Sequence, residues 1–121
     1  MGFPVVHFEI MGKDAETTQR YFSELFGWEI DANNPMNYGI VQREANLSPE
    51  GVGIGGGVSG GHGPGHVTFY VEVPDVEASL AKAESLGGSR LMGPEKVNER
   101  LEIGLFADPD GHTVGVIKAA S

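Results

Sequence analysis

Apolar, β-branched and aromatic residues dominate the stretch Val5-Val6-His7-Phe8-Glu9-Ile10, and they do so again from Val67 to Val73. Such runs have little helix preference and fit a pleated, half-buried surface, so each predicts a strand. The period then changes. Ala15, Thr18, Phe22 and Leu25 keep helical spacing, as do Val76, Leu80, Ala83 and Leu86, which gives each segment one face to bury. Asp14 and Asp75 stand just ahead of these patterns, where a carboxylate accepts bonds from the free N–H groups of a first turn and meets the positive end of the helix dipole. Gly27 and the pair Gly87-Gly88 supply left-handed stops. Strand-like runs follow each helix: Trp28 to Ile30, Tyr38 to Gln42 and Val52 to Val58, then Ser89 to Met92, Leu101 to Phe106 and Thr113 to Lys118. Between the last two, Asp108-Pro109-Asp110-Gly111 has proline second and glycine fourth, which suits a type I turn.

The two halves are one pattern used twice. At an offset of 61 residues Phe8 falls on Phe69, Ile10 on Val71, Asp14 on Asp75, Glu16 on Glu77, Leu25 on Leu86 and Gly27 on Gly88. A repeat of this kind sets the fold expectation: an α+β chain of two βαβββ modules, residues 1–58 and 66–121, joined by a glycine-rich linker over 59–65. Nine of the fifteen residues from 51 to 65 are glycine. Those at 53, 55, 56 and 57 weaken a strand and have no side chain to pack, so the backbone there either bends or leaves room for a ligand above the sheet.

Composition narrows the function classes. A chain of 121 residues with 40% hydrophobic content makes one domain with a packed core. Eight Lys and Arg against 17 Asp and Glu give a net charge of −9, a field that repels phosphate backbones and anionic lipid and so argues against nucleic-acid and membrane partners. No cysteine is present, so any metal must be held by His and carboxylate ligands. No apolar run reaches the length of about 18 residues needed for a transmembrane helix, and a cytoplasmic location is expected. Gly51-x-Gly53-x-x-Gly56 matches a dinucleotide fingerprint in letters only, because no helix follows it.

Val6-His7-Phe8-Glu9-Ile10 with Asp14, Tyr21-Phe22 and Leu25-Phe26-Gly27-Trp28, closed by Asp108-Pro109-Asp110-Gly111-His112, resembles the vicinal oxygen chelate superfamily of glyoxalases, bleomycin-resistance proteins and extradiol dioxygenases. The resemblance implies curved mixed sheets that form a cup, with metal ligands of the enzymes on cup-facing positions of the modules' first and last strands. If Phe8 and Ile10 cover the helix, strand alternation turns Val5, His7 and Glu9 to the cup. His7, seven residues before Asp14, fills the superfamily's first ligand position. Its counterpart seven before Asp75 is Thr68, a neutral hydroxyl, with His66 two residues earlier and about 7 Å further along the strand. The last-strand Glu expected four residues after Gly111 is Gly115, and the fourth strand offers only Ile54, Gly55 and Gly56.

A cation is weakly held without carboxylate ligands, so no metal or other cofactor is expected. The expected function is metal-independent binding of a small hydrophobic or aromatic molecule by His7, Glu9, His66, Thr68, Tyr70 and the open backbone at Gly115. His7 is there either a polar contact or a base, and Glu9, Thr68 and Tyr70 are either ligand anchors or structural hydrogen bonds. The alternative is a divalent-metal lyase, isomerase or dioxygenase with a metal on His7, His66 and Glu9. A third class is an interaction module with a vestigial cup. His112 reads as a capping or solvated residue rather than a ligand, and His62 as exposed. Phe26, Trp28, Met36 and Tyr38 are expected to cluster as a pocket lining or a subunit contact, and the resemblance implies a homodimer.

Overall fold

The computed structural model describes residues 2–119. The chain divides into two compact units, one formed by His7–Val67 and the other by residues from Thr68 onward with the N-terminal segment up to Val6. The elements are β1 (Val5–Gly12), α1 (Ala15–Phe26), β2 (Ile30–Asp31), β3 (Gly39–Val41), β4 (Gly56–Gly60), β5 (His66–Glu72), α2 (Val76–Ser85), β6 (Ser89–Lys96), β7 (Leu101–Ala107) and β8 (Thr113–Ala119), with a 3-10 turn at Arg43–Ala45. The fold is α+β, with the order βαβββ used twice.

In the first unit the strands lie in the order β2-β3-β4-β1, with β1 parallel to β4 and the remaining pairs antiparallel. A parallel pair needs a long crossover, and α1 lies within it. Asp14 caps this helix as expected, its Oδ2 accepting from the Thr17 N–H at 2.9 Å and the Thr17 hydroxyl at 2.7 Å. Gly27 ends it in the left-handed region at φ 73°. The inward face differs from the apolar reading. Ala15, Thr18, Gln19, Phe22 and Ser23 are half-buried, whereas Leu25 is 55% exposed. Two polar residues face inward because each has a backbone acceptor: Gln19 donates to the carbonyls of Asn37 and Val58, and Ser23 to that of Trp28.

The expected strand at Val52 to Val58 begins instead at Gly56 and runs to Gly60, taking in part of the expected linker. The residues before it are held in turns, with the Ser48 N–H bonded to the Val52 carbonyl and Arg43 Nε to that of Gly53. β4 is buried throughout. Rings need the space that its glycines leave: a Cβ on Gly56 would overlap the Phe8 ring, and one on Gly57 would overlap the Tyr38 ring.

In the second unit the order is β5-β8-β7-β6, with β5 parallel to β8 and the other pairs antiparallel. Val73, Val76, Leu80 and Val116 form its core, with Val71 and Phe106 against them. Asp75 caps α2 by accepting from the Ala78 N–H at 2.9 Å. Arg90 on β6 grips Glu77 on α2 with two parallel bonds of 2.8 and 2.7 Å. β6 runs on to Lys96, past the expected Met92, by bulging against β7 between Met92 and Glu95. Pro94 lies in that interval and has no N–H for the ladder. The Gly111 N–H bonds the Asp108 carbonyl at 2.9 Å, closing the expected turn.

Candidate functional site

Alternation along β1 separates two chemistries in the first unit. Phe8 packs on Trp28 at a ring separation of 5.3 Å, and Trp28 continues to Phe26 at 5.1 Å and Phe22 at 6.0 Å. This aromatic stack draws Trp28 out of the strand expected for it, leaving β2 to start at Ile30. Tyr38, expected in the same cluster, stands instead with His7 and Glu9, and Met36 is exposed.

Local structure holds Tyr38 there. Asn37 sits in the left-handed region at φ 53°, a conformation that asparagine tolerates better than most residues. The Asn34 side chain grips the Tyr38 backbone on both sides: Oδ1 accepts from its N–H at 2.9 Å and Nδ2 donates to its carbonyl at 2.7 Å. Glycine at 57 then leaves the ring room to lie along the sheet.

The result is a polar chain of four side chains. His7 Nε2 lies 2.8 Å from the Tyr38 hydroxyl, which donates to Glu9 Oε2 at 2.9 Å, and His66 Nε2 meets Glu9 Oε1 at 2.8 Å. Glu9 is only 8% exposed, so a carboxylate removed from water is compensated by two donors. His7, Glu9 and His66 stand out already in the sequence. Tyr38 was recognisable only as an aromatic, because its register against β4 and the glycine beneath it are tertiary facts.

Burial pushes the His7 imidazole below its ordinary pKa of 6.5, against a smaller opposing pull from the Glu9 carboxylate. The sign follows from linkage. Above the unfolded value neither state binds the proton, whereas below it the unfolded chain takes the proton more readily, so stability falls as the pH drops from about 6.5 toward the lower folded value. Melting curves between about pH 7 and 5 should therefore fall less steeply for His7→Gln than for the native chain.

Thr68, Tyr70, His112 and Gly115 belong to the second unit and His62 to the first. Thr68 is buried and its hydroxyl donates to the Thr113 carbonyl. Tyr70 is 5% exposed and pairs in register with Gly115, where a Cβ would overlap the Tyr70 ring. The glycine at the superfamily's last-strand position thus makes room for an aromatic side chain. His112 caps the β7–β8 turn as expected: Asp108 Oδ1 accepts from its N–H at 2.8 Å and Oδ2 meets its Nδ1 at 2.9 Å. These bonds hold the Asp108 carboxyl below its usual range. His62 is exposed.

A divalent cation needs about four donor atoms converging at roughly 2.0–2.2 Å on one point. His7, Glu9 and His66 do not fit that requirement: the Tyr38 hydroxyl stands between His7 and Glu9, each within hydrogen-bond distance of it. Among the described residues, the grouping of three metal-capable side chains with ligand atoms within 4.8 Å of one another is Asp108, Asp110 and His112. There the Asp108 carboxylate already accepts from the Asp110 and His112 N–H groups.

The doubled βαβββ fold defines a vicinal oxygen chelate protein. Residues 7–117 match the Glyoxalase-like domain family, and the chain belongs to it. A protein named putative glyoxylase CFP32, from Mycobacterium tuberculosis, is 26% identical over 114 residues, which span 92% of this chain and 44% of that protein. The same-named Mycobacterium bovis protein matches equally, so the chain spans less than half the length of these relatives. Among solved structures, Streptomyces coelicolor methylmalonyl-CoA epimerase in complex with 2-nitronate-propionyl-CoA shares the fold at TM-score 0.62 and 14% identity, covering 98% of this chain and 99% of that one. A glyoxalase/bleomycin resistance protein/dioxygenase superfamily member from Vibrio splendidus matches at TM-score 0.61 and 17% identity, covering 97% and 99%. No helix among the described residues is long and apolar enough to cross a membrane.

Proposed function

We propose that this protein binds a small hydrophobic or aromatic molecule, engaging its polar function with His7, Glu9, Tyr38 and His66 and without a metal ion. The observation that carries this reading is the hydrogen-bond chain itself. The Glu9 carboxylate takes the Tyr38 proton on one oxygen and meets His66 Nε2 with the other, and hydrogen bonds to an ionised group are the strong ones, which supports a cluster held together without a cation. Family membership supports a small-molecule partner, and the epimerase that shares the fold holds a CoA ester. We further infer a cytoplasmic homodimer; sedimentation should give twice the monomer mass.

Elemental analysis and thermal melting test the reading together. The purified protein should hold no stoichiometric metal. In a panel of aromatic natural products and 2-oxoaldehyde adducts, a true ligand at 100 times its Kd should stabilise by about 2.7 kcal/mol, an effect lost in His7→Ala. One tightly held metal per chain, released by His7→Ala, would instead establish the divalent-metal lyase, isomerase or dioxygenase. No shift with any compound would leave the interaction module.

A further inference from the structure

We infer that the β6–β7 hairpin and the end of β8 form a second binding site, one that takes a phosphate group through Lys96, Arg100 and Lys118. The site lies wholly in the second unit and shares no residue with the cluster of the first, so it stands apart from the function proposed above.

Strand register builds it. Lys96 pairs with Glu102 across β6 and β7, and Glu102 with Lys118 across β7 and β8, which sets the three side chains side by side on one face of the sheet. Arg100 is placed by the turn: Asn98 Oδ1 accepts from the Arg100 N–H at 2.7 Å and from the Leu101 N–H at 3.0 Å, and the Val97 N–H meets the Leu101 carbonyl at 2.9 Å. A cleft of about 170 Å3 opens among Lys96, Asn98, Arg100 and Lys118, with Glu99 and Glu102 also in its wall. Three of the chain's eight Lys and Arg residues thus line one cleft, although the chain as a whole carries a charge of −9.

These cations are not engaged in internal pairs. Among the described residues none of the three has a carboxylate oxygen within 4.0 Å, even with Glu102 directly opposite both lysines. An exposed ammonium gains little from a single carboxylate in water. A phosphate differs in two ways. It brings up to two charges and three strong acceptor oxygens, enough to meet both lysines and the arginine at once, and it matches the planar fork of a guanidinium. Charge-assisted bonds of this kind are about twice as strong as neutral ones. The acidic remainder of the chain then selects for size. Exposed charges more than about 8 Å apart are largely screened at physiological salt, so a lone phosphate senses mainly the cleft, whereas a polyanion would also run along the carboxylates outside it.

Backbone 1H–15N NMR on the full chain tests this, with sodium phosphate or phenyl phosphate titrated at constant ionic strength against sodium chloride. Saturable shifts are expected at Arg100, Leu101 and Lys118. Arg100→Gln and Lys118→Gln should each weaken phosphate binding about tenfold, the loss of one charge-assisted bond, at an unchanged melting temperature. Lys82→Gln, which removes an exposed cation of α2, should bind phosphate as the native chain does. Equal affinity for the two phosphates supports the site as one for the free ion, and tighter binding of phenyl phosphate supports it as one for an organic monoester. The absence of a saturable shift, shifts that chloride reproduces, or binding that neither variant weakens overturns the inference. A single-stranded oligonucleotide that binds more tightly than either phosphate overturns it as well.

Discussion

Leu80→Ala should lower the free energy of unfolding by about 2–5 kcal/mol, the range for removing a fully enclosed leucine from a core that relaxes only partly. Leu80 has no exposed surface and lies in the cluster with Val73, Val76 and Val116. The opposing strand has shaped itself to this side chain: a Cβ at Gly104 would come within 2.7 Å of Leu80 Cδ1, so the neighbour on that side is backbone, which cannot swing in to fill the gap. Domains are stable by only about 5–15 kcal/mol, which makes this a large fraction of the total. Urea titration should show a lower midpoint at unchanged slope. Leu25→Ala is the control. It belongs to the periodic pattern of α1 but is 55% exposed, and should change stability by no more than about 0.5 kcal/mol. Equal losses from the two would contradict the packing described for the second unit.

Gly57→Ala should lower stability by about 1–3 kcal/mol and remove the polar chain at the same time. The new methyl group would lie where the end of the Tyr38 ring is. The ring can escape only by swinging off the strand, which carries its hydroxyl away from His7 and Glu9, and an enclosed carboxylate that loses a donor adds to the loss. A double-mutant cycle separates this cause from an intrinsic cost at position 57. In a Tyr38→Ala background the same Gly57→Ala change should be better tolerated, with a coupling energy of about 0.5–3 kcal/mol. Strict additivity would mean that the glycine serves something other than the ring.

Much of the fold can be read from the chain because its signals are local. The caps at Asp14 and Asp75, the stop at Gly27 and the turn ending at Gly111 each depend on a few neighbouring residues, and each is where the pattern puts it. The boundaries that moved were set by distant partners. β4 starts at Gly56 because its glycines must pass beneath Phe8 and Tyr38, and Trp28 leaves β2 to join Phe8, Phe22 and Phe26. The inward face of α1 includes Gln19 and Ser23, which an apolar count passes over because their carbonyl acceptors lie elsewhere in the chain.

The candidate site divides along the same line. His7, Glu9 and His66 are visible as metal-capable residues by their place in the repeat, and strand alternation puts His7 and Glu9 on one face. Tyr38 is separated from Glu9 by 29 positions and from His7 by 31, and only strand pairing brings its hydroxyl between them.

By itself, then, the sequence determined the doubled βαβββ order, the helix starts, the acidic charge and a last strand without carboxylates, since these follow from residue type and short-range spacing. Which atoms stand next to His7 was decided by the tertiary structure alone. A hydrogen bond depends on positions to within tenths of an ångström, and those come from register and from the space that Gly57 leaves, neither of which any local pattern encodes.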